Sequence, residues 1–234
     1  YNAGTAVTTG VENVIVGGQA GDAMTTGSYN AVLGTSALGT NILSNCNVAI
    51  GNSALATHDL GSATAAYNVA VGFNAGLSVT TGTQNTLIGG LAGDALQGGE
   101  RNVAIGTYAL SSEDGDGYNV AVGHSALLNQ NAGATAYNTA VGYNAGGSVS
   151  TGVENTIMGS NAGDALTSGS YNVAIGMHAL GGEDAHGRNV AVGNEALRAQ
   201  NAGADAYNVA IGYYAGTAVT TGTANVLIGG NAGD

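Results

Sequence analysis

Residues 137–154 read Tyr137-Asn138-Thr139-Ala140-Val141-Gly142-Tyr143-Asn144-Ala145-Gly146-Gly147-Ser148-Val149-Ser150-Thr151-Gly152-Val153-Glu154. Asn138, Gly142 and Ala145 belong to a pattern, Asn-x-x-x-Gly-x-x-Ala, that returns thirteen times from Asn13 to Asn225. The Asn-to-Asn step is usually 17 (Asn138 to Asn155), sometimes 19 (Asn119 to Asn138) and once 21 (Asn47 to Asn68). A period that short and strict means one small unit stacked on itself. Thr139 and Val141 lie two apart and share one face of a short strand, with Asn138, Ala140 and Gly142 on the other. Gly142 permits a tight turn, residues 145–149 predict a second short strand, and Thr151-Gly152 turns the chain back. Helical and leucine-rich repeats need longer units. The reading is all-β: a parallel β-solenoid of about 13 coils of 17–21 residues.

Stacking coils about 4.8 Å apart lines equivalent side chains into rows and predicts a rod roughly 60 Å long. The position after Asn is Val or Thr in every coil but one (Ala31), and the position before Gly is always Val, Ile, Leu or Met. Hydrophobicity assigns these two rows to the interior. The invariant Ala, seven after Asn, fits a narrow lumen.

A slower period overlies the fast one. The coil lengths recur so that Asn68, Asn138 and Asn208 open equivalent coils, a 70-residue super-repeat of four coils. Two positions after Asn the side chain is bulky in every fourth coil (Ile15, Leu87, Ile157, Leu227) and Ala in most others, including Ala70, Ala140 and Ala210. With the Val rows inside, this row faces outward, and these seven residues are expected to form a flat self-association interface. The residue before each Asn forms an edge row in which Tyr118 and Tyr137 are neighbours, as are Tyr171, Arg188 and Tyr207. Tyr–Arg stacking, worth ~0.5–1 kcal/mol at an exposed site, would staple adjacent coils there.

Composition excludes several alternatives. The chain has 42 glycines, no proline and 44% hydrophobic residues, without the Gly-X-Y triplets of collagen. Three arginines and no lysine face fifteen acids, a net charge of −12. That balance argues against a nucleic-acid partner and against docking on anionic lipid, and no apolar run predicts membrane insertion. Cys46 is the single cysteine, so no intrachain disulfide forms. Tyr1-Asn2-Ala3-Gly4 matches Tyr143-Asn144-Ala145-Gly146, and Asn231-Ala232-Gly233-Asp234 stops mid-repeat. Residues 1–234 are therefore read as one solenoid repeat domain, a fragment of a longer array.

Tyr171-Asn172-Val173-Ala174-Ile175-Gly176 and Tyr207-Asn208-Val209-Ala210-Ile211-Gly212 resemble the Asn-Ser-Val-Ala-Ile-Gly motif of YadA-like trimeric autotransporter adhesin heads. Asn138-Thr139-Ala140-Val141-Gly142-Tyr143-Asn144-Ala145 is similar to arrays in phage tail fibres and bacterial surface fibres. The resemblance covers essentially the whole chain. It implies a left-handed β-roll, commonly trimeric, in an extracellular adhesin, cell-surface fibre or virion appendage. The sequence departs from the adhesin motif in its longer coils and in Val or Thr after Asn, which favours a fibre or filament protein broadly.

Candidate chemistry is sparse. Glu113, Asp114 and Asp116 recur one super-repeat on as Glu183, Asp184 and His186. Clustered carboxylates suit Ca²⁺, but without an EF-hand or calcium β-roll motif the default is a solvated acidic turn and no cofactor. His58, His124, His178 and His186 share no single register and are assigned to the surface. Asp22, Asp94, Asp164 and Asp234 recur every fourth coil, where they would accept turn amides. No Ser-His-Asp set, nucleophile elbow, phosphate loop or zinc spacing occurs, so no catalytic residues are expected. The expected function is a structural or adhesive fibre segment that forms a homo-oligomer, trimer or filament, and meets cell-surface glycan or protein. The alternative is a solenoid that binds an extended ligand, glycan or ice, the latter through its Thr-Thr-Gly repeats.

Overall fold

The structure, a computed structural model, describes residues 2–115 and 117–234. It is all-β, a parallel solenoid. The chain divides into two compact units, Tyr1–Gly117 and Tyr118–Asp234. Each coil contributes one strand of three residues. In the first unit these are β1 (Val14–Val16), β2 (Ala31–Leu33), β3 (Val48–Ile50), β4 (Val69–Val71), β5 (Thr86–Ile88) and β6 (Val103–Ile105). In the second they are β7 (Val120–Val122), β8 (Thr139–Val141), β9 (Thr156–Met158), β10 (Val173–Ile175), β11 (Val190–Val192), β12 (Val209–Ile211) and β13 (Val226–Ile228). Within each unit neighbours in sequence pair in parallel, and every residue faces its equivalent one coil on, as Val14 faces Ala31 and Val173 faces Val190. The longer coils keep this register: Val48 still faces Val69 across the longest step. Their extra residues loop outward, since a Cβ on Gly61, Gly133 or Gly203 would meet nothing within 4 Å.

The second strand predicted at 145–149 is a succession of turns instead. Each coil takes positive φ at the residue before Asn and at the sixth and eighth residues after it, as at Tyr137 (52°), Asn144 (52°) and Gly146 (58°). Three left-handed residues per coil leave no room for a second extended segment. Gly142 has φ 140°, and a Cβ there would lie 2.6 Å from the carbonyl oxygen of Gly159 in the next coil. Close approach of stacked backbones, as much as the turn, requires glycine at this position.

The strand faces are the reverse of the hydrophobic expectation. Ala49, Ala70, Leu87, Ala104, Ala121, Ala140, Ile157, Ala174, Ala191 and Ala210, two after Asn, are fully buried, and the flanking Val and Ile rows point outward. Leu87, Ile157, Ala70, Ala140 and Ala210 therefore cannot form an inter-chain surface. Ile15 and Leu227 sit in the same inward row and are only half-buried, in the first and last coils. The cause is that the lumen is already filled by Asn, the invariant second Ala and the buried Leu, Val and Met side chains eight and eleven positions after Asn, which leaves room in most coils for no more than Ala opposite them. Ala20, Ala37, Ala54 and their equivalents through Ala215 are fully buried as expected.

Buried Asn is what holds the turns. In the coil at 138, the Asn138 amide donates to the carbonyl of Gly152 (2.7 Å), while its oxygen accepts from both Asn155 N (2.9 Å) and Asn155 Nδ2 (3.1 Å) in the next coil. The same ladder runs through Asn68, Asn85 and Asn102 in the first unit. Turn amides and carbonyls beside the lumen thus find partners across coils, which an isolated coil could not supply.

The super-repeat is an interior packing code. Two consecutive coils in four carry Gly at the eighth position, and the other two carry Leu. A Cβ on Gly76 would lie 2.7 Å from Leu87 Cδ1 and 3.0 Å from Leu55 Cδ2; one on Gly146 would lie 2.8 Å from Ile157 Cδ1. The bulky residue of every fourth coil thus fills the space that two glycines leave. Large and small residues interdigitate along the lumen, the condition for dense packing without voids. Among the described residues no helix is long and apolar enough to cross a membrane.

Candidate functional site

The outward faces of the strands form the most continuous surface feature. In each unit two rows run along the ladder: Val, Thr or Ala one after Asn, and Val, Ile, Leu or Met three after it. None of these positions carries a charge or a strong hydrogen-bonding group beyond Thr86, Thr139 and Thr156. They are half-exposed at most coils, 36–49% exposed at Leu33, Ile88, Ile105, Met158 and Ile211, and 53–68% exposed at Val14, Val16, Val226 and Ile228 in the first and last coils. Alternation fixes their outward aim, so the strip is flat and about 7 Å wide.

Beside the strip runs the edge row. Tyr118 and Tyr137 have ring centroids 5.2 Å apart. The Arg188 guanidinium lies 5.0 Å from the Tyr171 ring and 5.7 Å from the Tyr207 ring, sandwiched between the coils below and above, and also pairs with Asp205 at 2.7 Å. In the first unit Arg101 Nε donates to Gln84 Oε1 at 2.9 Å in the same row. Cys46 occupies this row as a free, half-buried thiol with a left-handed backbone.

A third row, five residues after Asn, escapes the sequence reading. Phe73, Tyr143 and Tyr213 stand in it one per super-repeat, 59%, 59% and 60% exposed. Their 70-residue spacing was the available signal. Tyr143 stacks on His124 at 5.5 Å, and Tyr213 meets Tyr214 edge-on at 4.2 Å. Tyr214 also donates to Glu195 (3.3 Å), which pairs with Arg198 (2.8 Å). The Arg198 hydrogen bond holds the Glu195 carboxyl below its usual range, and contact with Tyr213 and the Glu195 charge push Tyr214 up to about 12.

The polar residues eleven after Asn do not lie on the surface. His58, Glu113, Gln130, Glu183 and Gln200 are fully buried in the row that elsewhere holds Met24, Val79, Leu96, Val149 and Leu166. Glu113 and Glu183 are therefore not part of solvated turns, although Asp114 and Asp184 beside them are exposed; Asp116 lies outside the described residues. His58 corrects the surface assignment most sharply. Neither ring nitrogen has a hydrogen-bond partner, and burial pushes its pKa down to about 4, against partial opposition from the Thr80 backbone and Asp59. Glu183 Oε1 accepts from His186 N (3.1 Å), while Oε2 has no partner. Of the recurrent aspartates, Asp94 accepts the Ser111 hydroxyl of the next coil, and burial raises the Asp164 pKa.

The threonine repeats spend their hydroxyl protons inside the stack. Thr8, Thr25 and Thr80 donate to the carbonyls of Thr25, Ile42 and Gln97, each one coil on, at 3.1–3.3 Å. Protein-family models, curated proteins and solved structures yield no match to this chain.

Proposed function

We propose that this chain is a structural segment of an extracellular fibre or filament that associates with further copies of itself through the outward Val/Ile strip. The observation that carries this reading is the strip itself, two uncharged apolar rows on a chain of net charge −12. Copies of so acidic a chain repel one another, and they approach at least cost where neither presents charge. A partner must also match the coil spacing of about 4.8 Å, which a second copy of the same ladder does by construction. Backbone ladders and repeated packing suit a stiff, load-bearing role. The test is mass in solution, by light scattering and sedimentation, for the chain and for Ile105→Glu with Ile211→Glu. An oligomer that dissociates in the double variant supports the reading, and its mass distinguishes trimer from filament. A wild-type monomer at high concentration sinks it.

The exposed aromatic row favours a second reading, a module that binds an extended glycan. Tyr143 and Tyr213 stand four coils apart in one unit, roughly 19 Å, and open rings of this kind stack on sugar faces. Glycan-array binding lost in Tyr143→Ala with Tyr213→Ala would support it; binding unchanged in that variant would remove it. The ice variant is weaker, because Thr8, Thr25 and Thr80, the first threonines of three Thr-Thr-Gly repeats, already donate their hydroxyls to the next coil.

A further inference from the structure

We propose that Glu183, Asp184 and His186 form a site for a divalent cation of the zinc class. The three offer ligand atoms that all lie within 4.8 Å of one another. They sit on one turn that opens from the lumen to solvent: Glu183 is fully buried, His186 part-exposed and Asp184 exposed. An ion could enter from the Asp184 side and keep water in its open positions.

The buried carboxylate is the observation that needs explaining. Its turn-capping work does not call for a charge. In the equivalent place two super-repeats earlier Asn41 Oδ1 accepts from Ser44 N at 2.8 Å, as Glu183 Oε1 does from His186 N. Glutamate at this position adds a negative charge and a second oxygen, and that oxygen is buried without a partner. Burying an unbalanced carboxylate is costly. The nearby arginines are engaged elsewhere, Arg188 with Asp205 and Arg198 with Glu195. His186 Nδ1, 3.3 Å from Glu183 Oε1, is the basic atom that pairs with it among the described residues.

Donor chemistry selects the ion. One imidazole nitrogen with two carboxylates suits Zn²⁺ and similar borderline metals. Ca²⁺ wants six or more oxygens and is the poorer fit. The sequence repeats the arrangement one super-repeat earlier with Glu113, Asp114 and Asp116, so ligand-competent side chains recur at the same three coil positions.

The experiment uses the full chain after dialysis against chelator, titrated with Zn²⁺ alone. Binding is followed by calorimetry and by the His186 ring resonance. The expected result is uptake of Zn²⁺ with a shift of that resonance, unmoved by the same concentration of Ca²⁺. Glu183→Gln, which keeps the capping oxygen, and His186→Asn should each weaken uptake at least tenfold. Uptake unaltered in both variants marks an adventitious ion at other histidines and overturns the proposal. So does a His186 resonance that Zn²⁺ leaves in place, the outcome expected if a protonated His186 alone balances Glu183. Because that resonance is read in the wild-type chain, the test stands even where a variant fails to fold.

Discussion

His58→Leu should stabilise the protein, and by more as the pH falls. In the wild-type chain both imidazole nitrogens are buried without a partner in hydrogen-bonding geometry, the Thr80 backbone offering only partial compensation, and an unsatisfied buried polar group costs ~1–3 kcal/mol. The same row holds leucine at Leu96 and Leu166, fully buried, so it accepts an apolar side chain, although Gly93 and Gly163 stand three residues before those leucines where Leu55 precedes His58. The pH dependence follows from linkage. His58 titrates at about 4 in the folded chain, against 6.5 ordinarily. Above pH 6.5 both states are neutral and the residue contributes no slope. As pH falls through 6.5 the unfolded state takes up a proton that the folded state refuses, so stability declines. The decline ends near pH 4, where the folded state is protonated too. At 1.36 kcal/mol per pKa unit, the loss across that window is ~3 kcal/mol.

Urea unfolding of both proteins at pH 7, 5.5 and 4.5 measures this. Carboxylates titrate over part of the same range, so the difference between wild type and variant is the informative quantity. That difference should widen steadily toward pH 4.5. A constant gap across the series would refute the reasoning, because the imidazole would then be protonated to the same degree in both states. An NMR titration that gives His58 a pKa near 6.5 would refute it directly.

Three further outcomes follow from the packing and the ladder. Leu87→Ala should cost ~2–5 kcal/mol by denaturant unfolding, because Gly76 and Gly93 leave nothing to refill the space; a loss below ~1 kcal/mol would show that the lumen collapses freely. Asn138→Ala strips partners from Asn155 N, Asn155 Nδ2, Gly152 O and Gln130 Oε1. It should cost ~3 kcal/mol or more, with amide exchange accelerated first at Asn155. Gly142→Ala drives a Cβ into the Gly159 carbonyl and should destabilise by at least ~2 kcal/mol; wild-type stability in that variant would contradict the backbone spacing.

The coil period, the first strand of each coil, the register and the lumenal alanine were legible because they depend on spacing, whereas the second strand predicted at 145–149 is a succession of turns. What the sequence did not disclose is which strand face is inside. A three-residue strand offers two faces, and hydrophobicity alone selects Val and Ile for the interior. The informative signal was instead the pattern of variation among coils. Position one tolerates Val, Thr or Ala and position three tolerates Val, Ile, Leu or Met, whereas Asn and Gly, which share the face of position two, never change, although position two itself takes Ala, Val, Leu or Ile. In so narrow a lumen, fixed size and hydrogen-bonding geometry are stricter requirements than apolarity. The row eleven after Asn carries the same lesson from the other side. Glu183 and His58 read as surface residues singly, yet with Gln200 they alternate in register with Leu166, Val149 and Met24, which do not. Once that row is placed inside, the 70-residue period becomes a register code. Coils that share one backbone pattern could stack in several alignments, but Leu87 fits only over Gly76 and Gly93, and Ile157 only over Gly146 and Gly163. A slip by one coil would set Leu87 against Leu55 in place of Gly76, where the side chains would clash. The super-repeat thus specifies one alignment from inside the coil and leaves the outer Val/Ile strip free for contact.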